Sequence, residues 1–117
     1  MIRAGELELF EYILQDIFNL KSKPITRFSR EIKYQRDDCY GFYDGEPLSK
    51  NRFYHKIRIS RKLIKTSESL FSTMAHEYVH AWQVEQGLDV YHNKECKFDY
   101  WQNYFQVRFN IDLVGVV

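Results

Sequence analysis

Between residues 70 and 86 the chain has neither proline nor glycine, and Leu70, Met74, Ala81 and Val84 recur at helical spacing with Ala75, Val79 and Trp82 close by. A helix this apolar has to be covered on most sides, so the rest of the chain must pack around it. The same stretch contains the run Met74-Ala75-His76-Glu77-Tyr78-Val79-His80-Ala81-Trp82. Burying His76, Glu77 and His80 without partners costs on the order of several kcal/mol, so a metal ion or a dense hydrogen-bond network is expected there.

His76, Glu77 and His80 form an HExxH pattern. Side chains four apart lie on one helix face about one turn apart, so both imidazoles can bind one ion while Glu77 is angled toward its open side. A catalytic zinc takes three protein ligands and leaves a fourth position for water, which makes the third ligand the next question. The longer pattern with another histidine six residues after the second fails, because that position is Gln86. Glu85, five residues beyond His80 on the same helix, points away from the two histidines. Gly87 offers a helix C-cap and residues 88–91 let the chain turn back. His92, the only histidine downstream, is then the first choice as third ligand, ahead of Glu95 and then of Asp99, Asp89 or no third ligand at all, because imidazole is the commonest zinc partner at such sites.

The run HEYVHAWQVEQG followed by Tyr91-His92-Asn93-Lys94-Glu95-Cys96-Lys97 resembles the core of the SprT-like (Spartan-type) zinc metalloprotease domain, in which HExxH is followed by a short link and a third histidine opening an HGxxFK-like helix. The resemblance extends from Ile57-Arg58-Ile59-Ser60 to the second helix, and the N-terminal half is similar only in outline. Asn93 stands where the family has Gly, and Cys96 where it has Phe, with Phe98 two residues later. The resemblance implies a minimal zincin-like fold, a zinc cofactor on His76, His80 and His92 and, as in the best-known relatives, cleavage of proteins attached to DNA. Those relatives carry additional zinc-ribbon, DNA-binding or ubiquitin-binding segments; here residues 1–117 are expected to be a single domain without accessory domains.

A length of 117 residues with 44% hydrophobic and 17% aromatic content suffices for one ordinary core. The net charge of +1 excludes a protein held on nucleic acid by bulk charge, leaving only a local patch. Cys39 and Cys96 make no CxxC pair and no disulfide framework, so each reads as a small buried side chain and a reducing, cytoplasmic setting is the simpler expectation. No signal peptide or membrane-spanning run is visible.

The pattern predicts an α+β chain: an N-terminal helix over residues 4–20, a small three-stranded sheet from residues 25–34, 39–43 and 52–60, the HExxH helix, and a C-terminal helix over residues 94–109. Residues 44–47, Asp-Gly-Glu-Pro, read as a loop between strands. In the last helix Phe98, Trp101, Phe105 and either Phe109 or Val107 are expected to face inward. Strand 52–60 alternates, with Phe53, His55, Ile57 and Ile59 toward the metal helix and Arg52, Tyr54, Lys56 and Arg58 outward. The outward face continues into Arg61, Lys62 and Lys65 and has two readings. One is a solvated face whose charges protect a sheet edge; the other is a nucleic-acid contact surface in which Tyr54 stacks on a base. His55 is expected in the core or behind the ligands, with direct metal ligation the remoter alternative.

The expected reaction is hydrolysis of peptide bonds in a protein substrate. Glu77, a base and not a ligand, takes a proton from a zinc-activated water and passes it to the leaving amine. Tyr78, Tyr91, Tyr100 and His55 are the available donors to an oxyanion, and Gln83, seven residues after His76, is placed to orient a ligand. The competing reading is a catalytically inactive zinc-bearing module that binds nucleic acid or a protein partner. Glu77 speaks against it, since a purely structural site does not need that carboxylate.

Overall fold

Leu7, Phe10, Leu14, Ile17 and Phe18 make one apolar stripe, and the first helix, α1 (Ala4–Phe18), buries it: Leu14 is fully covered and Phe18 nearly so. It stops two residues before the expected end, because Asn19 turns left-handed (φ 50°) and returns its N–H to the Gln15 carbonyl at 2.8 Å. The computed structural model describes residues 2–88 and 97–113. After α1 come β1 (Ile25–Ser29), β2 (Lys33–Tyr34), β3 (Asp37–Asp38), β4 (Gly41–Ser49), β5 (Arg52–Ser60), α2 (Ser67–Glu85) and α3 (Phe98–Phe109). The chain is therefore α+β, with three helices and a small sheet among the described residues.

The sheet has the order β1-β5-β4, with β1 parallel and β4 antiparallel to β5; the strand expected over residues 25–34 ends at Ser29, and its last two residues instead form β2, which pairs with β3 in a separate two-stranded ribbon. Residues 44–47, expected as a loop, lie in the middle of β4, where Gly45 pairs with His55 and Pro47 with Phe53. An edge strand tolerates this proline because one side of its backbone needs no ladder partner. The hairpin instead turns at Lys50 and Asn51. The alternation of β5 is as the sequence predicts: His55, Ile57 and Ile59 are buried, while Tyr54, Lys56 and Arg58 are half-buried and Arg52 is exposed.

Helix α2 lies against β4, β5 and α1, and residues 73–81 are buried without interruption. Thr66 caps its start by accepting the Ser69 N–H at 3.1 Å, and Gly87 (φ 73°) follows its last turn as the spacing implied. Leu70, Met74, Ala75, Tyr78, Val79 and Ala81 face the core, where full burial of a Leu or Met contributes roughly 2 kcal/mol. An aromatic cluster closes the far side: the Phe18 ring sits 4.2 Å from Trp101, and Phe71 meets both Phe105 and Phe109. Trp101 and Phe105 of α3 face inward as expected, Phe109 is 40% exposed and in ring contact, and Val107 points to solvent at 74%. Cys39 is buried and free, and burial raises its thiol above the usual range; Cys96 lies outside the described residues. Among the described residues no helix is long and apolar enough to cross a membrane.

Candidate metal centre

The two histidines of the motif project from one face of α2 and are almost completely buried, with their Nε2 atoms 3.3 Å apart. His80 Nδ1 is 2.8 Å from Gln83 Oε1, and His76 Nδ1 is 3.4 Å from the Leu113 carbonyl. Both partners are acceptors, so both Nδ1 atoms carry the hydrogen and both Nε2 atoms present lone pairs to the same point. Two zinc–nitrogen bonds of about 2.0–2.1 Å meeting at a tetrahedral angle require nitrogens about 3.3–3.4 Å apart, so the pair fits such an ion. A carboxylate oxygen of Glu77 lies within 4.8 Å of a ring nitrogen of each histidine, and the three residues form a buried group able to hold a metal.

Leu113 reaches the site because the segment after α3 folds back along α2. Its N–H donates to Gln102 Oε1 at 2.8 Å, and Ser72 donates to the Asp112 carbonyl. Phe98, two residues after the cysteine that replaces the family's Phe, packs on the rings of His76 (4.8 Å) and His80 (5.8 Å) and supplies an apolar side chain against both histidines. Edge strand β4 forms the other wall. Gly41 lies so close to α2 that an added Cβ would meet Thr73 Cγ2 at 2.6 Å and Glu77 Oε2 at 2.9 Å. The Tyr43 ring leans on His80 at 6.3 Å. Apolar walls of this kind exclude water and strengthen electrostatic interactions inside the site.

Not every predicted residue comes to this place. His92 lies outside the described residues, as do Asp89, Glu95 and Tyr91. Asp99 is exposed on the first turn of α3. Glu85 does point away from the motif, as its spacing requires, and accepts a hydrogen bond from His55 Nε2 at 2.7 Å. His55 itself is spent: its Nδ1 is 2.6 Å from the Tyr43 hydroxyl, so neither ring nitrogen is left for a metal. Tyr78 is buried toward Phe18 and its hydroxyl has no hydrogen-bond partner among the described residues; burial pushes its pKa well above the usual phenol range. Tyr100 is 61% exposed beside Trp101. Gln83 is fully buried and orients His80 as its spacing suggested. Arg52, Tyr54, Lys56 and Arg58 line the opposite face of the sheet, away from α2.

Gly41 and Tyr43 were missed. The strand expected over residues 39–43 held both but left out Gly45, and with it the alternation Gly41, Tyr43, Gly45 that puts two side-chain-free positions on either side of one aromatic ring on the face toward α2. No curated protein and no solved structure matches the chain. The model of the SprT-like family matches residues 7–111, almost the whole length, and the chain belongs to that family.

Proposed function

We propose that the chain is a zinc-dependent endopeptidase with a zincin-like active site, in which His76, His80 and His92 hold the metal and Glu77 is the general base. The observation that carries this reading is the convergence of two imidazole lone pairs, 3.3 Å apart, beside a buried carboxylate in a chain of the SprT-like family. When bound there, zinc supplies a Lewis acid that acidifies a water molecule and polarises the scissile carbonyl. Glu77 then accepts the water's proton and delivers it to the departing amine. Gly41 gives that carboxylate room at the wall of the site, and Gln83 fixes the tautomer of His80.

The test compares wild type with Glu77→Gln on an unfolded protein substrate. The reading expects cleavage by wild type and none by a variant that still binds zinc. Equal cleavage by both removes Glu77 as the base, and no cleavage by either favours the zinc-bearing binding module.

A second reading concerns where substrates are found. Arg27 pairs in register with Arg58, whose guanidinium lies 5.3 Å over the Phe42 ring, and together with Arg52, Tyr54 and Lys56 they make a basic and aromatic surface on the face of the sheet away from α2. Asp44 stands opposite Lys56 and Glu46 opposite Tyr54, so the basic strip is narrow. We propose that this strip contacts nucleic-acid phosphates and brings the peptidase to DNA-associated proteins. Salt-sensitive DNA binding, weakened by Lys56→Glu with Arg58→Glu, is the expected result; no binding at low ionic strength removes the idea.

A further inference from the structure

Behind the metal centre runs a second buried polar chain. Glu85 Oε1 accepts the Lys21 N–H at 2.6 Å, and Oε2 accepts the Ser22 N–H at 3.2 Å and the His55 Nε2–H at 2.7 Å. Both carboxylate oxygens are thus acceptors from backbone donors, which makes His55 the donor at Nε2 and leaves its Nδ1 to accept from the Tyr43 hydroxyl at 2.6 Å. His55 is 1% exposed and stacks flat on Phe53 at 5.9 Å. The side chain of Glu85 is 3% exposed. Such a chain is expensive to bury, and an apolar trio would fill the same space more cheaply.

The strand is shaped around this chain. Gly45 pairs directly with His55, and a Cβ at Gly45 would fall on the Tyr43 hydroxyl and lie 2.5 Å from the Tyr54 carbonyl. Only a residue without a side chain there lets the phenol run along β4 to the diagonal histidine. The other end of the same phenol leans on His80, tilted by 38°. From the fixed end of α2 the order is therefore Glu85, His55, Tyr43, His80.

We infer that Tyr43 is a positioning residue of the metal centre, its ring braced against the His80 imidazole by a hydroxyl tethered through His55 to Glu85. Gln83 sets which nitrogen of His80 faces the ion, and Tyr43 sets the plane of the ring. The inference rests on the reading of His76 and His80 as metal ligands. Loss of the tether leaves the ligand in place and loosens its orientation, which second-layer substitutions at metal sites typically register as weaker metal binding.

Cobalt(II) is the probe, because its visible absorption reports ligand geometry without any substrate. Full-length wild type, Tyr43→Phe, His55→Gln and the double variant are titrated with Co2+ against a competing chelator, and the melting of each metal-free protein is recorded alongside. The expected result is Co2+ binding about tenfold weaker with a shifted visible band in each single variant, and no further change in the double, since both substitutions cut one tether. Affinity and spectrum unchanged in Tyr43→Phe overturn the inference, as do additive losses in the double variant. If Tyr43→Phe does not fold, His55→Gln alone reads the same tether. Wild type that binds no Co2+ overturns the metal reading and this inference together, whereas normal binding by every variant overturns only the inference.

Discussion

Among the described residues histidines are buried in two places, and their ring nitrogens are engaged in opposite ways. His76 and His80 each turn Nδ1 to an acceptor and aim Nε2 at a shared point, whereas His55 has both nitrogens engaged by Tyr43 and Glu85. All three are less than a tenth exposed. Burial therefore does not distinguish a histidine able to ligate a metal from one whose ring is closed off; what distinguishes them is where the second nitrogen goes. A side-chain amide and a backbone carbonyl leave lone pairs converging on one point, and a carboxylate with a phenol closes the ring off.

That contrast can be broken most severely at Glu77, the acid buried beside the two imidazoles. Glu77→Gln should lower kcat by roughly 10²–10⁴-fold while leaving zinc content unchanged, measured by single-turnover cleavage and elemental analysis; a variant that loses its metal too would make Glu77 a ligand. Next is the wall that gives Glu77 its room. Gly41→Ala places a methyl within 3 Å of Thr73 and Glu77 and should cost about 1–3 kcal/mol in urea unfolding together with much of the activity. An unchanged unfolding midpoint would mean that β4 can move aside without cost.

The smallest effect sharpens the other side of the comparison. Burial lowers the pKa of His55 from its ordinary value of 6.5, against the opposing pull of Glu85. The unfolded chain then binds more protons than the folded one just below that value, so the stability owed to a neutral His55 is complete above about pH 6.5 and is lost as pH falls toward the folded pKa. Urea midpoints of the metal-free protein between about pH 7 and pH 5 should fall more steeply for wild type than for His55→Gln. Parallel slopes would show that His55 does not titrate differently on folding.

Much of the site was legible because it sits on one helix. Four-residue spacing is a local property, so His76, Glu77, His80 and Gln83 could be placed on one side of α2 and Glu85 on another before any tertiary contact was known. Strand β5 was legible for the same reason, its alternation being intact from Tyr54 to Ile59. The wall was not. Asp44-Gly45-Glu46-Pro47 carries the chemistry of a turn, yet the structure runs it as an edge strand because its cross-strand partners in β5 and the packing of α2 outweigh local propensity. Gly41 and Tyr43 fell inside the expected strand, but without Gly45 and the pairing to β5 nothing tied them to the motif, and the tyrosines weighed for the site included Tyr78, which the core absorbs. The return of Leu113 to His76 depends on a backbone carbonyl, for which a sequence carries no mark.

The central claim is that His76 and His80 converge on a metal, and metal content tests it most directly. Wild type and His80→Ala, purified without chelator and dialysed, would be analysed for zinc by elemental mass spectrometry. The account predicts about one zinc ion per chain in wild type and a loss of most of it in the variant. Wild type without zinc under those conditions, or a variant that retains it fully, would contradict the account.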